Sequence, residues 1–166
     1  MKEKKSTVSK AIKQIVKTTK SKQKIIGSNL KGNIPSQEKD AYWIYTERKK
    51  GKYPIQTENS GKWLVFEDIN KIDEVWEKIK AATEDGLLGN ASKVATAKVN
   101  PNAIDVKTKV ICVYTYDYTD KTDVMRIRQV LRDIGIVKKI PYKTEKATFE
   151  GLYRVKGNTK IEVYYE

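Results

Sequence analysis

Apolar residues come in short runs along most of the chain, and these runs alternate with amphipathic stretches. Runs rich in β-branched and aromatic residues are typical of strands. They cover residues 42–46, 63–66, 94–99, 109–116, 137–142 and 161–165, and residues 148–154 are a further candidate. We therefore expect a sheet of about six strands.

Two of the intervening stretches predict amphipathic helices. The first follows Asn70, a possible N-cap, and ends near Gly86; the second begins at the N-cap Asp120 and ends at Gly135. Their apolar faces are Ile72, Val75, Trp76, Ile79 and Ala82 in the first helix, and Val124, Ile127, Leu131 and Ile134 in the second. Strands interleaved with helices predict an α+β fold, with a curved, largely antiparallel sheet backed by helices.

The N-terminal segment has its own pattern. Val8, Ala11, Ile12, Ile15 and Val16 recur at helical spacing with lysines between them, which predicts a helix from about residue 7 to 19. Lysines near its N-terminal end oppose the helix dipole, so we expect this helix to fray alone and to become ordered on a partner. Residues 27–35 are predicted to be a linker.

The distribution of charged residues divides the chain within the predicted linker. Residues 1–32 have a net charge of +9 and residues 33–166 a net charge of +4, within a total of +13. We therefore predict two parts, a basic and partly helical arm of residues 1–32 and a globular α+β domain of residues 33–166.

The sequence also excludes several kinds of catalytic and metal-binding site. It contains no His and a single Cys, Cys112. A Ser/His/Asp triad, a Cys/His pair and a Cys/His zinc site are therefore excluded, and we expect no cofactor and no bound metal. Asp117, Asp120 and Asp123 open a predicted helix and are interpreted as capping residues rather than metal ligands. The lone Cys and the absence of an apolar leader favour the cytoplasm.

Lysines and arginines bind nucleic acid through its phosphates, and aromatic rings stack on its bases. The turn-rich segment after the first strand carries four cations and a tyrosine that we expect to be exposed. The predicted nucleic-acid-binding residues are Lys4, Lys5, Lys10, Lys13, Lys17, Lys20, Lys22, Lys24, Arg48, Lys49, Lys50, Lys52 and Tyr53.

Other candidates receive simpler interpretations. Arg128 and Arg132 lie four residues apart on the second helix, which predicts one solvated face. Trp63 and Trp76 are expected in the core, whereas Trp43 could pack there or serve as a base-stacking platform.

Several long strings resemble the basophilic leukemia-expressed protein family: ENSGKWLVF (58–66), DEVWEKIKAATEDGLLG (73–89), KVICVYTYDYTDKTDVMRIRQVLRDIGI (109–136) and KKIPYK (138–143). The resemblance covers roughly residues 41–166. It implies a fold similar to that of the messenger-cap-binding translation initiation factor. In that factor two loop tryptophans sandwich the methylated guanine, but here the segments around Tyr53 and Glu58 contain no Trp. Cap binding is therefore not expected.

Some members of the family are described as phosphothreonine lyases. That chemistry resembles β-elimination by a lysine base and a histidine acid, and this chain has no His to act as the acid.

Together these features predict a non-catalytic RNA-binding protein of the translation machinery. Its expected partner is ribosomal or other structured RNA, with ribosomal proteins as further candidates and no membrane. One alternative is an enzyme or binding protein for phosphorylated or nucleotide ligands, with a concave pocket near Tyr53 and Glu58 and a buried lysine. The other is a protein-interaction module in which Val8, Ile12, Ile15 and Val16 dock in a partner's groove.

Overall fold

The computed structural model describes residues 2–23, 33–103, 105–153, 156–157 and 161–166, and it describes the side chains of the first helix from residue 7 to residue 18. The elements in chain order are α1 (Lys2–Gln23), β1 (Trp43–Glu47), β2 (Gly61–Asp68), α2 (Ile72–Glu84), β3 (Ala91–Ala95), β4 (Thr108–Thr115), α3 (Lys121–Asp133), β5 (Pro141–Thr144), α4 (Glu145–Phe149) and β6 (Tyr164–Tyr165).

The six strands form one antiparallel sheet in the order β1-β3-β4-β2-β5-β6. Its centre is the β2–β4 pair, which is in register from Gly61 opposite Thr115 to Asp68 opposite Thr108. Because side chains alternate along a strand, one face of the sheet carries Trp63, Val65, Ile111 and Val113, which are fully buried. We call this the helix face and the opposite one the open face. The predicted α+β fold is confirmed.

The two helices that cover the helix face follow the sequence pattern. Ile72, Trp76 and Ile79 of α2 are buried in the core. Asp120 caps α3 by accepting a hydrogen bond from the backbone N–H of Asp123, as expected. Gly135 follows α3 with a φ of 107°, a conformation that favours glycine. The cap predicted for α2 differs, because its N-cap is Lys71, which makes no side-chain capping bond.

The strand predicted at 148–154 is wrong for the residues that the structure describes there. The hydroxyl of Thr144 accepts a hydrogen bond from the N–H of Ala147 and starts the short helix α4 instead. β3 also ends earlier than predicted, since the backbone N–H of Thr96 pairs with Tyr42 and that of Ala97 with Pro35. The last two strands are shorter than the apolar runs that predicted them.

Arg128 is not on a solvated surface, and the prediction for it was wrong. Its side chain is fully buried and donates hydrogen bonds to the backbone carbonyls of Ile136, Lys138 and Glu166. Burial lowers the pKa of this guanidinium to about 10. The three nitrogens of one planar group bond two carbonyls of the segment after α3 and the carbonyl of Glu166, so Arg128 links that segment to Glu166.

The basic helix α1 is longer than predicted and packs on the domain itself. Ile12 and Ile15 are buried members of the hydrophobic core, and α1 contacts α2. The expectation that this helix needs a partner to become ordered was therefore wrong, because α2 supplies the apolar surface. Most of the predicted linker lies outside the described residues, and the division of the chain at residue 32 stays a prediction. No helix in the described ranges is long and apolar enough to cross a bilayer.

Shortening a buried side chain of α1 should destabilise the whole fold. We expect Ile15→Ala to lower the free energy of unfolding by about 2 kcal/mol, because Ile15 loses buried methyl groups against the core. Urea denaturation followed by tryptophan fluorescence measures this change. The matched control is Val8→Ala in the same helix, which should cost less than about 0.5 kcal/mol because Val8 is 37% exposed. Equal midpoints for Ile15→Ala and the unsubstituted protein would contradict the docking of α1.

Candidate functional site

A cavity lies on the open face of the sheet, and we call it the open-face cavity. Its volume is about 740 Å³. Its floor includes Leu64 and Phe66 of β2 and Val110 of β4. One wall is the loop of residues 98–103 after β3, and the other is formed by described residues of the segment 148–162 after β5. The helices α2 and α3 lie on the other side of the sheet and leave this face uncovered.

Three lysines in the middle of strands face this cavity. Strand alternation places Lys62 of β2, Lys93 of β3 and Lys143 of β5 on the open face. Lys62 is directly opposite Lys143, and Lys93 is opposite Cys112 of β4. Lys62 and Lys143 are only 5% and 3% exposed. The sheet therefore places three ammonium groups on one face where water has limited access, and the strand order β3-β4-β2-β5 puts Lys62 between Lys93 and Lys143.

The three ammonium groups differ in how they are neutralised. Lys62 forms an ion pair with Glu145 at the start of α4. Lys143 donates a hydrogen bond to the backbone carbonyl of Leu152, and its ammonium lies 3.8 Å from the centre of the Tyr153 ring. No ion pair of Lys143 with a carboxylate is found among the described residues.

Lys93 has aromatic neighbours instead. Its ammonium lies 4.1 Å from the centre of the Trp43 ring and 5.9 Å from the centres of the Tyr45 and Tyr114 rings. Cation–π contacts of this kind are individually weak and do not neutralise the charge. Within the part of the chain that the structure describes, Lys93 has no carboxylate partner. It is the ammonium of this site that lacks a counter-charge most clearly.

Burial and mutual repulsion change the titration of these groups. Burial, followed by the nearby charge of Lys62, lowers the pKa of Lys143. Burial also lowers the pKa of Lys93, and the charge of Lys62 contributes in the same direction. The thiol of Cys112 is buried beneath the lysines, and this burial raises its pKa despite their positive charge. Cys112 is therefore a neutral thiol in the floor and not a reactive thiolate.

The arrangement can bind an anion that also has an apolar or planar part. Five lysines and one glutamate are among the described residues that line the cavity: Lys62, Lys93, Lys98, Lys109, Lys143 and Glu162. The floor is apolar, and the aromatic rings of Trp43, Tyr153 and Tyr165 also line the cavity. Within the described ranges, the structure brings together no group of three or more Cys, Asp or Glu side chains suited to a metal ion.

The sequence-predicted lysines of the arm lie elsewhere. Lys10, Lys13 and Lys17 are exposed on α1, on the side away from Ile12 and Ile15. Lys4, Lys5, Lys20 and Lys22 are in the same helix, but their side chains are not described, and Lys24 lies outside the described residues.

The basic loop after β1 is more structural than predicted. The guanidinium of Arg48 donates hydrogen bonds to the backbone carbonyls of Leu88, Gly89 and Lys50. Lys49 forms an ion pair with Glu84, and Lys50 forms one with Asp85. These contacts tie the loop to the end of α2, whereas the side chain of Lys52 is exposed.

Tyr53 is not the exposed stacking platform that the sequence suggested. Its hydroxyl donates a hydrogen bond to the Asp123 carboxylate, and its ring packs edge-on against Tyr116 and beneath Arg48. A shallow cavity of about 320 Å³ lies beside it. Its described lining includes the exposed Lys52 but neither Glu58 nor a buried lysine, so the predicted enzyme pocket is not found at this place.

The sequence analysis did not select the buried lysines of the open-face cavity. One signal was present, because Lys62, Lys93 and Lys143 each lie within or beside a predicted strand at a position where the neighbouring residues are buried. Strand alternation alone did not reveal that these three positions face the same cavity, because the order of the strands in the sheet was unknown.

Comparison with known proteins identifies the family. The family model "Basophilic leukemia-expressed protein Bles03" matches residues 3–149, so the chain belongs to this family. Among solved structures, the chain is similar to Ascaris suum eIF4E-3 in complex with the m2,2,7G cap, at 23% identity and a TM-score of 0.38. That match covers 51% of this chain and spans half of the length of the other chain.

Removing one lysine of the cavity should change the titration of the others. In Lys62→Met we expect the pKa of both Lys93 and Lys143 to rise, because a like charge disappears and Glu145 is released to interact with them. NMR of lysine Nζ and Cε resonances during a pH titration measures these values. Lys121→Met, at the start of α3, is the control and should leave both unchanged. A fall or no change in Lys62→Met would show that the three ammonium groups are not coupled.

Proposed function

We propose that the protein is a non-catalytic RNA-binding protein that contacts RNA phosphates through α1. The observation that carries this proposal is the packing of α1. With Ile12 and Ile15 buried against the domain, Lys10, Lys13 and Lys17 lie exposed on the outer side of the helix. A row of ammonium groups on a docked helix loses less conformational freedom on binding than the same residues in a flexible tail.

The charge distribution supports the same proposal. Most of the chain's net charge of +13 lies in residues 1–32, which include α1. Lysine contacts with phosphates release counterions, and this gives affinity without base recognition. We therefore propose ribosomal or another structured RNA as the partner, in the cytoplasm, with ribosomal proteins nearby. Salt-dependent co-sedimentation with ribosomes would test that association.

Binding of a methylated cap is not part of the proposal. The chain has three tryptophans, and Trp63 and Trp76 are buried in the core. Trp43 alone is left to stack on a ligand, so two tryptophans cannot sandwich one base.

Neutralising the exposed lysines of α1 should weaken RNA binding and its dependence on salt. The variant is the triple substitution Lys10→Gln, Lys13→Gln and Lys17→Gln. If each lysine contacts one phosphate, the slope of log affinity against log salt concentration should become shallower by about 2. Filter binding to purified ribosomal RNA over a series of salt concentrations measures the slope.

The matched control removes the same charge elsewhere on the surface. It is Lys107→Gln, Lys121→Gln and Lys146→Gln, three exposed positions outside α1. The control should keep the original slope. An equal change in both triple variants would assign the effect to net charge rather than to α1, and no RNA binding by the unsubstituted protein at low salt would reject the function.

A further inference from the structure

We propose that the open-face cavity is a binding site for a nucleoside 5′-phosphate, with the phosphate beside Lys93 and the base over the apolar floor. This site is separate from α1, because α1 packs on α2 and α2 covers the opposite face of the sheet. The proposal therefore does not depend on RNA binding by the helix.

The position of the phosphate follows from the unbalanced charge. An ammonium group that is removed from water needs a counter-charge or several hydrogen bonds to be stable. Glu145 supplies the counter-charge to Lys62. Lys143 has a carbonyl and a tyrosine ring, and Lys93 has three aromatic rings. Glu145 acts on both only as a nearby charge, and a phosphate bound at Lys93 would supply the ion pair that Lys93 does not form with a carboxylate of the described residues.

The position of the base follows from the floor. Leu64, Phe66 and Val110 lie side by side across β2 and β4, because Leu64 is opposite Cys112 and Phe66 is opposite Val110. Leu64, Phe66 and Val110 are only partly buried although they lie in the two central strands. Partly exposed apolar residues at the centre of a sheet form a surface on which a planar ring can pack.

The cavity has room for such a ligand. Its volume of about 740 Å³ lies in the range of small-molecule sites, which is about 300 to 1,000 Å³. The same chemistry is present in a free nucleotide and in the 5′-terminal nucleotide of an RNA. Both sources present one phosphate attached to a sugar and a planar base, so the experiment has to separate them.

The primary test is calorimetric titration of the full chain with AMP, UMP, adenosine and inorganic phosphate. We expect saturable binding of the nucleotides with a Kd of about 1 mM or tighter, and binding of adenosine and of phosphate alone at least about tenfold weaker. No saturable binding of either nucleotide would overturn the proposal. Inorganic phosphate binding as tightly as AMP would also overturn it, because the floor would then contribute nothing.

Two variants localise the site. Lys93→Gln should weaken AMP binding by about tenfold or more, since it removes a charged hydrogen-bond donor from a covered site. Lys121→Gln removes the same charge on the helix side of the sheet and should leave the affinity unchanged. Unchanged AMP affinity in Lys93→Gln would overturn the assignment. Near-ultraviolet circular dichroism monitors the fold through the buried Trp63 and Trp76, and Lys93→Met, which keeps the shape of the aliphatic stem, replaces Lys93→Gln if that variant does not fold.

Two further measurements distinguish a free nucleotide from an RNA end and test whether the open-face cavity acts independently of α1. The first compares UMP with two uridine pentamers, one with a 5′-phosphate and one with a 5′-hydroxyl. If the 5′-phosphate pentamer binds more tightly than UMP and than the 5′-hydroxyl pentamer, the ligand is an RNA end. If the two pentamers have equal affinities that are weaker than that of UMP, the ligand is a free nucleotide. The α1 triple variant should retain its affinity for AMP. Loss of AMP binding in that variant would contradict the separation of the two sites, whatever its effect on ribosomal RNA.

Discussion

The strict alternation of side chains along the β2–β4 pair determines most of what this molecule presents to its surroundings. Eight consecutive residues of each strand are in register, so a shift by one residue would exchange the two faces of the sheet. Trp63 and Val65 must face α2 and α3 to form the core. Lys62, Leu64 and Phe66 are then forced onto the open face, whatever chemistry that face has. The core and the cavity are two consequences of one register.

This register explains why lysines occupy positions at which the burial of their charge costs free energy. A buried ammonium group is less stable than an apolar side chain of the same size unless it is paired. The fold neutralises Lys62 with Glu145, which Thr144 places by starting α4. Lys93 and Lys143 receive polarisable rings rather than a carboxylate. Lysines whose pKa is lowered by burial are often found at functional sites.

The molecule thus has two basic surfaces with different physical character. Lys10, Lys13 and Lys17 of α1 are exposed, so salt screens their charges strongly. The lysines of the open-face cavity are partly desolvated, so a bound charge there is screened less. One surface suits a long, diffuse polyanion and the other a compact ligand of defined shape. Their separation by the sheet means that both could be occupied at once.

The sequence by itself determined the elements whose signals are local. Helical periodicity, the cap at Asp120 and the stop at Gly135 fixed α2 and α3, and β-branched runs located the central strands. The interleaving of predicted strands and helices indicated the α+β class, and the sequence segments that resemble the Bles03 family agreed with it. Tertiary structure decided what depends on partners distant in the chain. Arg128 is buried because three backbone carbonyls accept its hydrogen bonds. Tyr53 packs within the domain because the Asp123 carboxylate accepts a hydrogen bond from its hydroxyl. Lys62, Lys93 and Lys143 share one face of the sheet only because antiparallel pairing sets the strand order β3-β4-β2-β5, and no local pattern encodes which strands will be neighbours.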